Sequence, residues 1–215
     1  FSKNTWGLFR EEFQHLPSRQ QFPESSVDFQ CQKCGACCRD EGIVVTLTTF
    51  DIAQLGQGLG LDTNGLLRAI DFYVLPEGRE TPEGLKDFPR INTEQGPAYI
   101  ALKKQPNAEC IFLDDDLCMI HTIRPMACRA FPFYFSVEDD GLHWGLNAKS
   151  DICPGLGKGP EVSHEELKRL GTEITTVLSN HHAVVKRWNE SEKNPTAAGF
   201  IDSILALMYA RSSKT

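Results

Sequence analysis

Eight cysteines set the chemical agenda of this chain: Cys31, Cys34, Cys37, Cys38, Cys110, Cys118, Cys128 and Cys153. The first four form Cys31-Gln-Lys-Cys34-Gly-Ala-Cys37-Cys38, a C-x2-C-x2-C-C run. Thiolates three residues apart in a tight loop can converge on one ion or cluster. Gly35 supplies a residue that accepts the left-handed backbone such a loop needs. Disulfides are the competing use of an even cysteine count. They fit poorly here. A chain of 215 residues can bury an adequate apolar core without staples, and no cysteine follows Cys153. The pattern therefore predicts reduced thiols that ligate a metal or cluster.

The adjacent pair carries further information. Neighbouring side chains diverge, so Cys37 and Cys38 are expected to serve two sites that share a loop, or one polynuclear centre. Iron–sulfur ferredoxins join C-x2-C-x2-C to a distant Cys-Pro. Cys31, Cys34 and Cys37 with Cys153-Pro154 repeat that arrangement, which leaves Cys38, Cys110, Cys118 and Cys128 as a second set. The expected cofactor is an iron–sulfur cluster of the [4Fe–4S] kind. The alternative is zinc at one or both sites, serving as a staple in a protein-interaction module.

Arg39, Arg124 and Arg129 lie next to or between the cysteines. Guanidinium groups close to a thiolate cluster would offset its negative charge and raise its reduction potential. The competing role is pairing with Asp40, Asp114 or Asp115. His121, three residues after Cys118, is expected to pack beside the centre and not to ligate it. Asp114-Asp115-Asp116 reads as an acidic turn between two ligand-bearing strands. Phe131, Phe133, Tyr134 and Phe135 read as a wall that excludes water. His15, His143, His164, His181 and His182 read as surface residues. The sequence holds no nucleophile elbow, P-loop, dinucleotide fingerprint or metalloprotease helix motif.

At this point a family resemblance emerges. The stretch FQCQKCGACCRDEGIVVTLTTFDIAQL resembles the start of the YkgJ-like, or CxxCxxCC, cysteine-cluster proteins. The stretch C-IFLDDDL-C-MIHTIRPMACRAFPF resembles that family's C…C-x-I-[YH]…RP-x-x-CR-x-[FY]P-[FY] pattern, and CPGLGKG resembles its CPG segment. The likeness spans residues from about 29 to about 159. Members are described as zinc- or iron-chelating, and they include the flagellin lysine N-methylases. The resemblance implies that all eight cysteines belong to the metal-binding core. It also raises an alternative activity, S-adenosylmethionine-dependent methylation of protein lysines. The chain lacks both a Rossmann-type glycine motif and the C-x3-C-x2-C spacing of radical enzymes, so a noncatalytic role is the stronger expectation.

The elements that must position these residues follow from periodicity and punctuation. The expected fold is α+β: an irregular cysteine-rich core with short strands, plus a C-terminal helical pair. Strands are expected at 43–47 and 98–103, with strand-like or irregular pieces around the cysteines at 109–113, 117–120 and 131–135, and Asp139-Asp140-Gly141 is expected to turn the chain into a returning hairpin strand at 143–146. Helices are expected at 49–59, 63–72, 163–188 and 197–210. Thr48 or Thr49 caps the first, and Ser163 with Glu166 makes a capping box for the third. Residues 76–97 read as loop. The domain reading is an N-terminal arm at 1–26 with Trp6, Phe9 and Phe13 at helical spacing, a cysteine-cluster domain at 27–160, and a helical extension at 161–215.

The 29 acidic against 22 basic residues give a formal charge of −7, a poor match to nucleic acid. No apolar run approaches the ~20 residues of a membrane span. The start at Phe1 predicts a processed or trimmed form, consistent with a removed transit peptide. The expected setting is a reducing one, such as cytoplasm, chloroplast stroma or mitochondrial matrix. The expected role is electron transfer, assembly, or service as a subunit with a protein partner.

Overall fold

The computed structural model describes residues 27–212 other than 77 and 149. The predicted N-terminal arm lies outside the described residues. In chain order the elements are β1 (Val27–Phe29), α1 (Ala36–Arg39), α2 (Thr49–Leu59), α3 (Thr63–Ala69) and β2 (Ile70–Val74). Next come β3 (Ile91–Thr93), β4 (Gly96–Leu102), β5 (Leu113–Asp114), β6 (Leu117–Cys118) and α4 (Met126–Ala130). The chain closes with β7 (Phe133–Glu138), β8 (Gly141–Leu146), β9 (Leu156–Val162), α5 (His164–Ser191) and α6 (Ala197–Ser212). This is a mixed α+β fold with short strands and a C-terminal helical pair, as the sequence predicts. Among the described residues, no helix is long and apolar enough to cross a membrane.

The chain divides into two compact units. Among the described residues, the first comprises 27–44, Lys104–Met119 and Ala130–Thr175. It is built from two-stranded pieces: β1 with β9, β5 with β6, and β7 with β8, all antiparallel. Phe133 is its aromatic hub, meeting Phe29 and Trp144 edge-on with ring centroids 5.4 and 5.9 Å apart. Phe133, Tyr134 and Phe135 of the aromatic run lie in β7, Phe131 lies in the turn before it, and Phe133 packs on the residue two before Cys31. Ser163 begins α5 by the predicted capping box: its backbone N–H and hydroxyl both donate to Glu166, and its oxygen accepts from the Glu166 N–H.

The second unit comprises Val45–Lys103, Ile120–Arg129 and Thr176 onward. Its sheet runs β2–β4–β3, antiparallel throughout. The core collects Leu47, Ile52, Leu55, Leu66, Ile70, Ile91, Ile100, Phe200 and Ile201, each at most 2% exposed. Burial of such side chains is worth about 1.5–3 kcal/mol each. α6 turns Phe200, Ile201, Ile204 and Leu205 onto α2 and α3. Gly56 makes that approach possible, because a Cβ there would stand 2.8 Å from Leu205.

Three element predictions need correction. Helix α3 ends at Ala69, and Ile70–Val74 is a strand, since its β-branched and aromatic residues pair with Ala98–Leu102 of β4. The stretch 76–97 contains β3, returned onto β4 by a two-residue turn. Ile43–Leu47 makes one bridge, Thr46 with Ala101, before the α2 cap takes over the backbone. Residues 109–113 are the irregular alternative of the expectation: Cys110 makes a single bridge, and a turn at 111–112 leads into the short β5–β6 pair.

His181 is a further correction, because it is fully buried. Its ring lies on Phe88 with centroids 4.9 Å apart, and its Nδ1 accepts the Thr49 N–H at 3.1 Å. Its Nε2 meets no protein partner among the described residues. Burial first, and the charge of His182 second, lower its pKa to about 3. The unfolded chain, with its histidine near 6.5, therefore binds the proton first as the pH falls. His181 thus withdraws stability below about pH 6.5, reaching a loss of about 2 kcal/mol by pH 5. Denaturant unfolding of the wild type and of His181→Asn, whose amide oxygen can still accept from Thr49, should show this slope in the wild type alone. Parallel pH profiles for the two proteins would refute it.

Candidate metal centre

Local geometry explains how the cysteines of the first unit meet. β1 ends just before Cys31, and β9 begins just after Cys153. The two strands pair antiparallel, with Phe29 opposite Leu156 after a bulge, so these two ends coincide. The Gln30 N–H then donates to the Gly155 carbonyl at 3.2 Å. A Cβ on Gly155 would stand 2.4 Å from the Gln30 oxygen, so the residue after Cys153-Pro154 has to be glycine. Cys153 is buried, which pushes its thiol up, and the charges that act on it are those of Cys37 and Cys31.

A second convergence surrounds Cys38. Gly35 adopts φ 67 and opens the single helical turn α1, which presents Cys37 and Cys38. A Cβ there would stand 2.7 Å from the Asp116 carbonyl and 2.9 Å from the Leu113 side chain. Glycine thus serves both the backbone conformation and a close approach. The Cys110 N–H donates to the Cys38 carbonyl at 2.8 Å, and Cys110 also bridges antiparallel to Lys104. The β5–β6 hairpin then folds Cys118 back towards them. Its turn residues Asp115 and Asp116 have φ 42 and 64, the double left-handed pattern of a tight hairpin. The acidic triplet is this turn.

The side chains finish the arrangement. The Cys38 thiol hydrogen-bonds to the sulfurs of Cys110, Cys118 and Cys37, which raises its own pKa. Those same contacts, against the effect of burial, hold the Cys37 and Cys110 thiols down at about 7. Cys37 and Cys110 are thus partly thiolate at neutral pH, while Cys38 and Cys153 keep their protons until a metal displaces them. An all-sulfur donor set suits zinc or an iron–sulfur cluster, and not magnesium or calcium. The residues present fit the cofactors that the sequence suggests.

All eight cysteines are free thiols. Seven of them belong to the first unit: Cys37, Cys38, Cys110 and Cys118 form one group, Cys153 feels the charges of Cys37 and Cys31, and Cys34 lies in the same loop as Cys31 and Cys37. Cys128 sits on α4 within the second unit. Of the three arginines, Arg39 shares a unit with the cysteine group. It pairs with Asp116 and donates to the Cys34 carbonyl at 2.8 Å, so it braces the ligand loop. Arg124 contacts the His121 ring at 2.7 Å, and Arg129 donates to the Met126 sulfur at 3.3 Å. Both belong to the unit that carries Cys128.

Two residues escape the sequence reading. Asp51 accepts the N–H that opens the Cys128 helix, from Met126 at 2.8 Å. Its signal was the Thr48–Asp51 capping box, which speaks only of α2. Lys104 directs its amine to the Asp40 carbonyl at 2.8 Å, beside the cysteine group. A lone lysine six residues before a cysteine carries no sequence signal.

Comparison with known proteins agrees with this chemistry. The model of the CxxCxxCC family, described as "Putative zinc- or iron-chelating domain", matches residues 30–154. This chain belongs to the CxxCxxCC family. The matched span contains all eight cysteines and ends one residue after Cys153. It is a metal-binding cysteine-cluster domain. A relative from Methanocaldococcus jannaschii, the uncharacterized protein MJ0661, is 27% identical over 164 residues, which cover 69% of this chain and 74% of the relative. No solved structure matches the chain.

Proposed function

We propose that this CxxCxxCC protein holds an iron–sulfur cluster on its thiolates and serves in electron transfer, in assembly, or as a subunit of a larger complex. The observation that carries this reading is the position of Cys153, set against Cys31 and Cys37. That is the group which the ferredoxin-like C-x2-C-x2-C and Cys-Pro spacing calls for. The cluster would be held by Cys31, Cys34, Cys37 and Cys153, with Cys38, Cys110 and Cys118 contributing to a second thiolate group alongside. Such a centre requires a reducing compartment.

A second reading rests on Cys38. Its thiol hydrogen-bonds to the sulfurs of Cys110, Cys118 and Cys37, a convergence on one residue that a single ion could tighten, although no three cysteine sulfurs among the described residues lie within 4.8 Å of one another. Four thiolates about 2.3 Å from a tetrahedral zinc lie about 3.8 Å from each other, whereas a cluster core holds its thiolates apart. Anaerobic purification followed by iron, zinc and acid-labile sulfide analysis separates the two. Iron with near-equal sulfide and a brown colour supports the cluster. Stoichiometric zinc without sulfide overturns it and leaves a zinc-stapled module.

A further inference from the structure

A thiolate centre has a charge problem. Thiolates around one divalent ion, or around a cluster core, leave net negative charge in a partly dry site, and that charge must be met by a cation or by hydrogen bonds. Arg39 is the cation that the sequence offers in this unit. Its guanidinium is engaged by the Asp116 carboxylate and the Cys34 carbonyl, which uses its charge on the hairpin turn.

Lys104 stands in a different relation to the sulfurs. Its backbone bridges Cys110, whose N–H in turn holds the Cys38 carbonyl. Its amine is anchored at 2.8 Å on the carbonyl of Asp40, two residues past Cys38. The charged groups that face this half-buried ammonium are Cys110, Asp40, Cys38 and Cys37. Burial lowers the Lys104 pKa, and these anions oppose that shift without cancelling it. The neighbouring segment is fixed as well: the Gln105 amide donates to the carbonyls of Cys110 and Leu113 at 3.0 and 3.1 Å. The lysine therefore extends from a backbone that cannot drift away from the thiols.

We propose that Lys104 is the charge-compensating positioning residue of the centre, holding a fixed positive charge against the Cys37, Cys38 and Cys110 thiolates so that they bind metal tightly. This inference rests on the reading of those cysteines as a metal centre. It is independent of whether iron–sulfur or zinc occupies the centre.

The probe is Co(II), titrated anaerobically into the metal-free full-length chain and followed by the thiolate-to-cobalt charge-transfer absorption. Lys104→Gln keeps a hydrogen-bond donor and loses the charge. Lys104→Met loses both, and Lys104→Arg keeps both. Lys103→Met is the control, since the Lys103 amine is held on the Leu67 carbonyl at 3.2 Å. The Gln and Met variants should bind Co(II) more weakly by about tenfold or more, the scale of one nearby charge in a partly shielded site. The Arg variant and the Lys103 control should match the wild type. Gln behaving as wild type, or Arg failing as badly as Met with an unchanged melting curve, would overturn the proposal. Absence of charge-transfer bands in the wild type would instead overturn the metal-centre reading itself.

Discussion

Cys38→Ser is expected to strip the centre of its metal. Two losses coincide at this residue. The first is a ligand: a serine hydroxyl is hard, neutral at physiological pH and shorter-reaching than a thiolate. The second is the contact that keeps the Cys37 and Cys110 thiols at about 7, for which Cys38 is the leading cause in both cases. Without it their thiols return towards the ordinary range near 8.5, and a metal has to displace more protons. Structural zinc contributes about 10–16 kcal/mol in small domains, so one ligand of four is worth roughly 3 kcal/mol. The expected weakening is therefore at least about a hundredfold. Metal content after desalting, with Co(II) competition for the affinity, measures it. Wild-type metal retention in Cys38→Ser would show that the sulfur contacts around Cys38 are packing and not ligation.

What the sequence revealed and what it concealed divide along the range of the interactions. Caps are local: Thr48 with Asp51, Asp62 with the Gly65 N–H, and Ser163 with Glu166 each lie within one turn, and each placed a helix start to within one residue. The C-x2-C-x2-C-C loop is local too, and Gly35 takes the left-handed conformation expected of it. The central sheet was hidden because Ile70–Val74 continues an apolar helical pattern, and only pairing with β4 makes it a strand. His181 was hidden for a related reason. The long helix is polar over most of its surface, so a histidine beside His182 reads as exposed until Phe88 and Thr49 cover it. The meeting of Cys38 with Cys110 and Cys118 spans more than 70 residues of sequence. It depends on a two-residue aspartate turn that composition alone marks only as acidic.

Asp51→Ala is expected to cost about 2–4 kcal/mol and to loosen the helix that carries Cys128. The Asp51 carboxylate is 1% exposed and accepts from the Thr48 N–H at 2.8 Å, the Thr48 hydroxyl at 2.7 Å and the Met126 N–H at 2.8 Å. Alanine removes one half of the α2 capping box, worth about 1 kcal/mol. It also leaves the buried donors without an acceptor, at about 1–3 kcal/mol for each that water does not reach. One effect runs the other way. Burial raises the Asp51 pKa in spite of these hydrogen bonds and the nearby Arg129 charge, so the folded state holds the proton more tightly than the unfolded chain does. The group therefore stabilises below the unfolded carboxyl range and loses that contribution as pH rises through its folded value. Asp51→Asn, which keeps one acceptor and carries no buried charge, should recover about half of the loss at pH 7. Cavity formation alone would also rank Asn above Ala, but it would leave Cys128 untouched. If Asp51 positions α4, the rate of Cys128 alkylation, followed by mass spectrometry under native conditions, rises in Asp51→Ala and stays near wild type in Asp51→Asn. Unchanged Cys128 reactivity in both variants, with stability lost, would confine Asp51 to capping α2.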